Sequence, residues 1–179
     1  MRLEWHLWGY VVIATVLCLP AAVLAAHLLA TWRSRRGRPR PFRTAYADVF
    51  SVTGTLPWIW MILTPGSASG VTLLPLSDLA ELATAPPGTV LAQVGGNLLV
   101  FAALGALLPV RSPRLASVWR VALLAAALSI TVEVLQYGLH LGRVSSVDDV
   151  LLNSAGAALA SLATRRWHAR PLTTGTGPQ

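Results

Sequence analysis

The chain alternates long apolar runs with short, polar, arginine-rich connections. Residues 7–30 hold no Asp, Glu, Lys or Arg, and neither do residues 90–110. Residues 45–64 hold one such residue, Asp48, and residues 121–142 hold one, Glu133. Residues 147–164 form a shorter run that opens on Asp148 and Asp149. A helix needs about 20 mainly apolar residues to cross the hydrocarbon core. The pattern therefore predicts an all-α, polytopic integral membrane protein with about five transmembrane helices, the fifth being the weakest by hydropathy. Pro20 is expected to kink the first span. The longest connection, residues 65–87, is expected to carry a short helix capped by Ser77, with Asp78 and Glu81 near its start. Leu74, Leu76, Leu79 and Leu82 would rest that helix on the membrane surface.

Three units follow along the chain. Residues 1–44 are expected to form an N-terminal transmembrane helix and an Arg-rich cytoplasmic loop. Residues 45–170 form the main helical membrane domain, and residues 171–179 read as a disordered tail. The first span is not read as a cleaved signal peptide. Only Arg2, beside Glu4, precedes it and a dense Arg run follows, which is the charge order of a stop-transfer anchor.

Composition agrees with a membrane protein. Hydrophobic residues make up 54% of the 179 and charged residues only 12%, about half the charged share of a soluble domain. All 14 basic residues are Arg, and the net charge is +7. Arg without Lys, beside abundant Ala, Gly and Pro, matches a GC-rich bacterial genome. A basic balance of this size can mark a nucleic-acid partner, but the positions exclude that reading. Arg33, Arg35, Arg36, Arg38, Arg40 and Arg43 fall between spans one and two. Arg111, Arg114 and Arg120 fall between spans three and four, and Arg165, Arg166 and Arg170 follow span five. In a five-span chain all of these lie on one side, leaving only Arg2 and Arg143 on the other. Positive loops stay cytoplasmic, so the N-terminus is expected outside the cell membrane and the C-terminus inside. Trp5, Trp8, Trp32, Trp58, Trp60, Trp119 and Trp167 fall near span ends, where Trp anchors at the interface. The single Cys18 excludes an intramolecular disulfide and a Cys-based zinc site. With no glycine-rich phosphate loop and no metal-ligand spacing, no cofactor or metal is expected.

Polar residues inside the spans are the candidate chemistry, because ionisable groups at membrane depth pair or function. Ser129, Glu133, Gln136 and His140 share one face of the fourth span. Glu133 lies about 10 Å from the end of that run, at 1.5 Å per residue. Asp149, Asn153, Gly156 and Ala160 share a face of the fifth, and Gln93, Asn97, Phe101 and Gly105 lie near one face of the third. Arg143 stands in the hairpin between spans four and five. It is expected to pair with Asp149 or Glu133, while Gly105, Gly156 and Ala160 allow close helix contact. The polar positions Asn97, Glu133, Gln136, Arg143, Asp149 and Asn153 then form a candidate binding pocket toward the outer leaflet.

These residues also carry a resemblance. Glu133, Gln136, Arg143, Asp149, Asn153 and Gly156 match, in order and spacing, the signature of the VanZ-like family. Asn97, Phe101 and Gly105 match the family's upstream Asn-xxx-Phe-x-Pro-x-Gly segment, with Ala103 in place of the Pro. The segment Val71-Thr72-Leu73-Leu74-Pro75 is similar to the family's external segment before that helix. The resemblance spans residues 55–165. It implies a small multispanning membrane protein, in a family named after a member associated with low-level teicoplanin resistance, an antibiotic resistance acting at the cell envelope. It implies no particular reaction.

Three functions fit. The first is a non-enzymatic envelope protein that binds a membrane lipid, a lipid-linked wall precursor or a lipophilic glycopeptide, with Arg143 on an anionic group and Asn97, Gln136 and Asn153 as neutral hydrogen-bond partners. The second is a membrane enzyme acting on a lipid-linked substrate, with Glu133, Asp149 and His140 as acid, base or metal ligands. The third is a structural subunit whose small-residue faces pack against a membrane-protein partner.

Overall fold

The computed structural model of the chain describes residues 2–67 and 70–169, with side chains from residue 9 onward. The expected tail at 171–179 and the side chains of Trp5 and Trp8 lie outside the described residues. Five helical rods run up and down. They are α1 (Arg2–Arg35), α2 (Pro41–Ile62), α4 (Pro87–Arg111), α5 (Val118–Gly138) and α6 (Val147–Ala163), with a six-residue α3 (Ser77–Leu82) in the long connection. The local sequence explains the corners. Gly37 takes a left-handed φ of 63° just past α1, and Pro41 opens α2 at a position where a missing N–H costs nothing. Pro20 sits inside α1, which is helical on both sides of it.

The fold is that of an all-α, polytopic membrane protein, but with three candidate transmembrane helices rather than a clear five. Among the described residues, Gly9–Arg35, Pro87–Arg111 and Val118–Gly138 are long and apolar enough to cross a membrane. The other two expected spans are helical but fall short for physical reasons. α2 is diluted by Asp48, Ser51, Thr53, Gly54, Thr55 and Pro57. α6 has only 17 residues and carries Asp148 and Asp149 in its first turn.

Neighbouring rods pack α1 on α2, α2 on α4, α4 on α6 and α6 on α5. Val100, Phe101, Val121, Ala125 and Ala157 form the core, with Trp58 and Ile62 packed on it. Trp58 is partly buried against this core, whereas Trp60 and Trp119 are exposed. The α4–α6 contact depends on glycine. A Cβ on Gly105 would lie 2.6 Å from Ala157 Cα, and one on Gly156 would strike the Leu98 backbone. Both small residues are therefore taken up within the chain and offer no surface to a partner helix.

α4 is irregular. Leu91–Gly95 is π-helical, and the rod breaks again at Phe101, whose φ of −111° and ψ of 13° leave the helical region. A break thus persists although Ala103 occupies the family's Pro position. π-turns and such breaks account for bends without proline. Ala103 itself faces Gly54 of α2, where an added Cβ would lie 2.7 Å from Ala103 Cβ.

The two ends of the bundle differ. At the arginine end, Asp48 binds Arg33 of α1 at 2.7 Å and Arg111 of α4 at 2.8 Å, clamping three helices. This is the simple ion pairing that an acid beside an Arg-rich loop calls for. At the carboxylate end the long connection folds over the helices. β1 (Gly70–Thr72) pairs in parallel with β2 (Val144–Ser146), in the register Gly70–Val144, Val71–Ser145 and Thr72–Ser146. The sequence pattern predicts only a loop with one short helix here, because three-residue strands are too short for alternation to register.

Candidate functional site

The carboxylate end brings residues from α4, α5, α6 and both short strands together. The first turn of α6 is the centre. Asp148 and Asp149 are adjacent in sequence but point apart, because successive helical residues differ by about 100°. Asp149 faces α4 and accepts a hydrogen bond from Asn97 Nδ2. One turn further along α6, Asn153 is buried and donates from Nδ2 to Ser129 Oγ of α5 at 2.8 Å. Its carbonyl Oδ1 is buried with no partner among the described residues. Glu133 of α5 accepts at Oε2 from the Ser146 backbone N–H at 3.2 Å, and its backbone carbonyl accepts from Ser145 Oγ at 3.3 Å.

Arg143 stands beside this group. It directly precedes β2, whose Ser145 and Ser146 bond Glu133. Among the described residues it forms no ion pair with either Glu133 or Asp149, contrary to the pairing expected from the sequence. Asp78, whose backbone N–H donates to Asp148 at 3.0 Å, adds a further carboxylate. The local balance is therefore four acids (Asp78, Glu133, Asp148 and Asp149) against one Arg.

Asp148 is the residue that sequence reasoning missed. It is 1% exposed. Its carboxylate accepts from the backbone N–H groups of Leu76 at 2.5 Å, Asp78 at 3.0 Å and Leu79 at 3.2 Å. It thereby caps α3 from another helix, the role the sequence pattern predicts for Ser77. Ser77 instead begins α3, and Leu76 is the N-cap residue with a left-handed φ of 68°. Of the four leucines expected on the membrane surface, Leu74 and Leu76 are exposed while Leu82 is buried. The available signal was the Asp-Asp pair itself: one helical face can use only one of the two.

Not every expected member joins the cluster. Gln136 is buried but donates to the Ile62 carbonyl at 2.5 Å, fixing the end of α2 to α5. Gln93 is exposed on the π-helical part of α4. His140 lies past the end of α5, exposed, with a left-handed φ of 52°. The Leu141 carbonyl accepts from Gly66 N–H at 2.7 Å, tying the hairpin to the long connection. Two clefts lie away from the cluster. One is lined by arginines at the opposite end, and the other is an apolar groove between α1 and α2.

The VanZ/LLP1 family model matches residues 10–168, a wider span than the 55–165 that carries the sequence resemblance. No curated protein and no solved structure matches the chain.

Proposed function

The chain belongs to the VanZ/LLP1 family, and on that premise we propose that it is a non-enzymatic envelope protein whose carboxylate-end cluster binds the headgroup of an envelope lipid, a lipid-linked wall precursor or a lipophilic glycopeptide. The observation that carries this reading is the Arg143 guanidinium, which forms no ion pair among the described residues and adjoins the β2 segment that bonds Glu133, near carboxylates that retain free acceptor capacity. A guanidinium recognises phosphate or carboxylate by its fork of donors. Carboxylates beside it accept from hydroxyl or ammonium groups. The chemistry suits a ligand that carries an anion and several hydrogen-bond donors together, as a sugar-phosphate or aminoglycan headgroup does. Asn153 Oδ1 offers a further acceptor. The β1–β2 ladder and α3 would form the cover under which such a headgroup sits.

In this reading α2 and α6 also cross the bilayer, shielded by their neighbours, giving five crossings. The N-terminus is outside and the C-terminus cytoplasmic, a reading supported by the Arg distribution. The cluster then faces the outer leaflet, where lipid-linked wall precursors and glycopeptides act. Reporter fusions at residues 37 and 142 test the orientation, and both reporting the same side would break it. Binding is tested with wild type and Arg143→Ala at equal expression, using labelled teicoplanin and labelled lipid-linked precursor. Loss of binding by a folded Arg143→Ala protein is expected. Unchanged binding of both probes would remove Arg143 from the site.

A further inference from the structure

The arginine end carries a second constellation that the proposed function does not use. Arg33, Arg38, Arg40, Arg43 and Arg111 line a cleft of about 430 Å³ beside Trp32. That volume lies within the range of about 300–1,000 Å³ usual for small-ligand sites. Five arginines thus border one cleft, and Asp48 pairs with two of them, Arg33 and Arg111.

A solvated, topology-setting loop would leave its guanidiniums hydrated. Three nitrogens here are not. Arg33 Nη1, Arg43 Nε and Arg43 Nη2 are buried and lack a hydrogen-bond partner among the described residues. A buried, unpaired charged donor is costly, so part of the positive charge of Arg33 and Arg43 is left uncompensated by the described residues. The backbone points the same way. Arg40 holds a left-handed φ of 49°, uncommon for a side-chain-bearing residue, and leads straight into α2. That 22-residue helix begins beside the cleft with no side-chain cap and no acidic residue in its first turn. Its positive dipole end is therefore uncompensated.

We propose that this cleft is a binding site for a phosphate-bearing anion, held by the Arg43 and Arg33 guanidiniums with Arg38, Arg40 and Arg111 around them. Guanidinium forks match phosphate oxygens in pairs. The anion has two possible sources, a free phosphate compound or the headgroup of an anionic phospholipid. The placement favours the lipid. Trp32, Trp119 and Trp167 are partly or fully exposed at this same end, and Trp collects at the headgroup level of a bilayer.

The test uses the full chain purified in a nonionic detergent. One arm titrates phosphatidylglycerol against phosphatidylcholine and counts retained lipid by native mass spectrometry. The other titrates inorganic pyrophosphate by calorimetry. Arg43→Gln and Arg38→Gln are compared with Arg166→Gln, whose guanidinium stacks on Trp167 outside the cleft. Selective retention of phosphatidylglycerol that weakens about tenfold or more in Arg43→Gln supports the site with a lipid source. Pyrophosphate binding with the same dependence supports it with a free anion. Should Arg43→Gln fail to fold, Arg38→Gln, in the exposed connection, decides. Binding of neither probe by the wild type overturns the proposal. Equal binding by wild type and both cleft variants also does so, as does an equal loss in Arg166→Gln.

Discussion

Replacing Asp148 with Ala should release the cover of the carboxylate end while leaving the helices standing. α3 has six residues, too few to persist as an isolated helix. Its N-terminus is held by three backbone N–H groups donating to one carboxylate, at 2.5, 3.0 and 3.2 Å. A hydrogen bond to a charged group contributes about 1.5–3 kcal/mol net. The three bonds share one carboxylate, and the freed N–H groups recover water at a partly exposed surface, so they do not add. A loss of about 3 kcal/mol is expected, which makes local opening of residues 76–82 about a hundredfold more populated. Asp148→Asn keeps one acceptor oxygen and should show about a tenfold effect. Hydrogen–deuterium exchange of the full chain in nanodiscs reads this directly, with α5 and α6 as internal references. Asp78→Ala is the control. Its backbone N–H still donates to Asp148, and its side chain meets only Ser77 Oγ at 3.5 Å among the described residues. Unchanged protection of residues 76–82 in Asp148→Ala, or equal loss in Asp78→Ala, would refute the capping assignment.

Three further perturbations probe the frame around the site. Gly156→Val places side-chain atoms against the Leu98 backbone, which cannot yield as a flexible side chain can; it should cost about 1–3 kcal/mol and lower the melting temperature followed by Trp fluorescence. Asp48→Asn loosens the Arg33 and Arg111 pairs, whose side chains are 18% and 42% exposed. A loss of about 1 kcal/mol is expected, larger at low salt than at high salt in thermal unfolding. Asn97→Leu strips Asp149 of its side-chain donor, and a double-mutant cycle with Asp149→Leu should return a coupling of about 1–3 kcal/mol, against near zero if the two act independently.

Much of the membrane architecture was legible because hydropathy and Arg placement are local signals. The long apolar runs became rods, and Asp48 found the arginines beside it. Asn97, Glu133, Asp149 and Asn153 converged because helical spacing sets which residues share a face. The failures came where partners are distant in sequence. Asp148 reaches Leu76 across 72 positions, and no periodicity shows that a carboxylate will cap a helix elsewhere. Gln136 shares a face with Glu133, yet a free carbonyl at Ile62 captures it. The β1–β2 ladder joins three-residue segments too short for a strand pattern to register. The span count is ambiguous for a related reason. Helices packed among neighbours can carry Ser, Thr and Asp that a lipid-facing helix cannot, so α2 and α6 weaken the hydropathy signal while remaining helical.

Binding of an envelope headgroup by Arg143 and its neighbouring carboxylates can be seen directly. The most direct measurement is a structure of the full chain in lipid nanodiscs with a lipid-linked wall precursor or teicoplanin added. Ligand density is expected between α4, α5 and α6, with an anionic group on Arg143 and hydroxyl or ammonium groups on Glu133 and Asp149. A ligand seated instead in the apolar groove lined by Val11, Ala14, Cys18, Leu56 and Trp60, with the Arg143 cluster closed and unchanged, would contradict it.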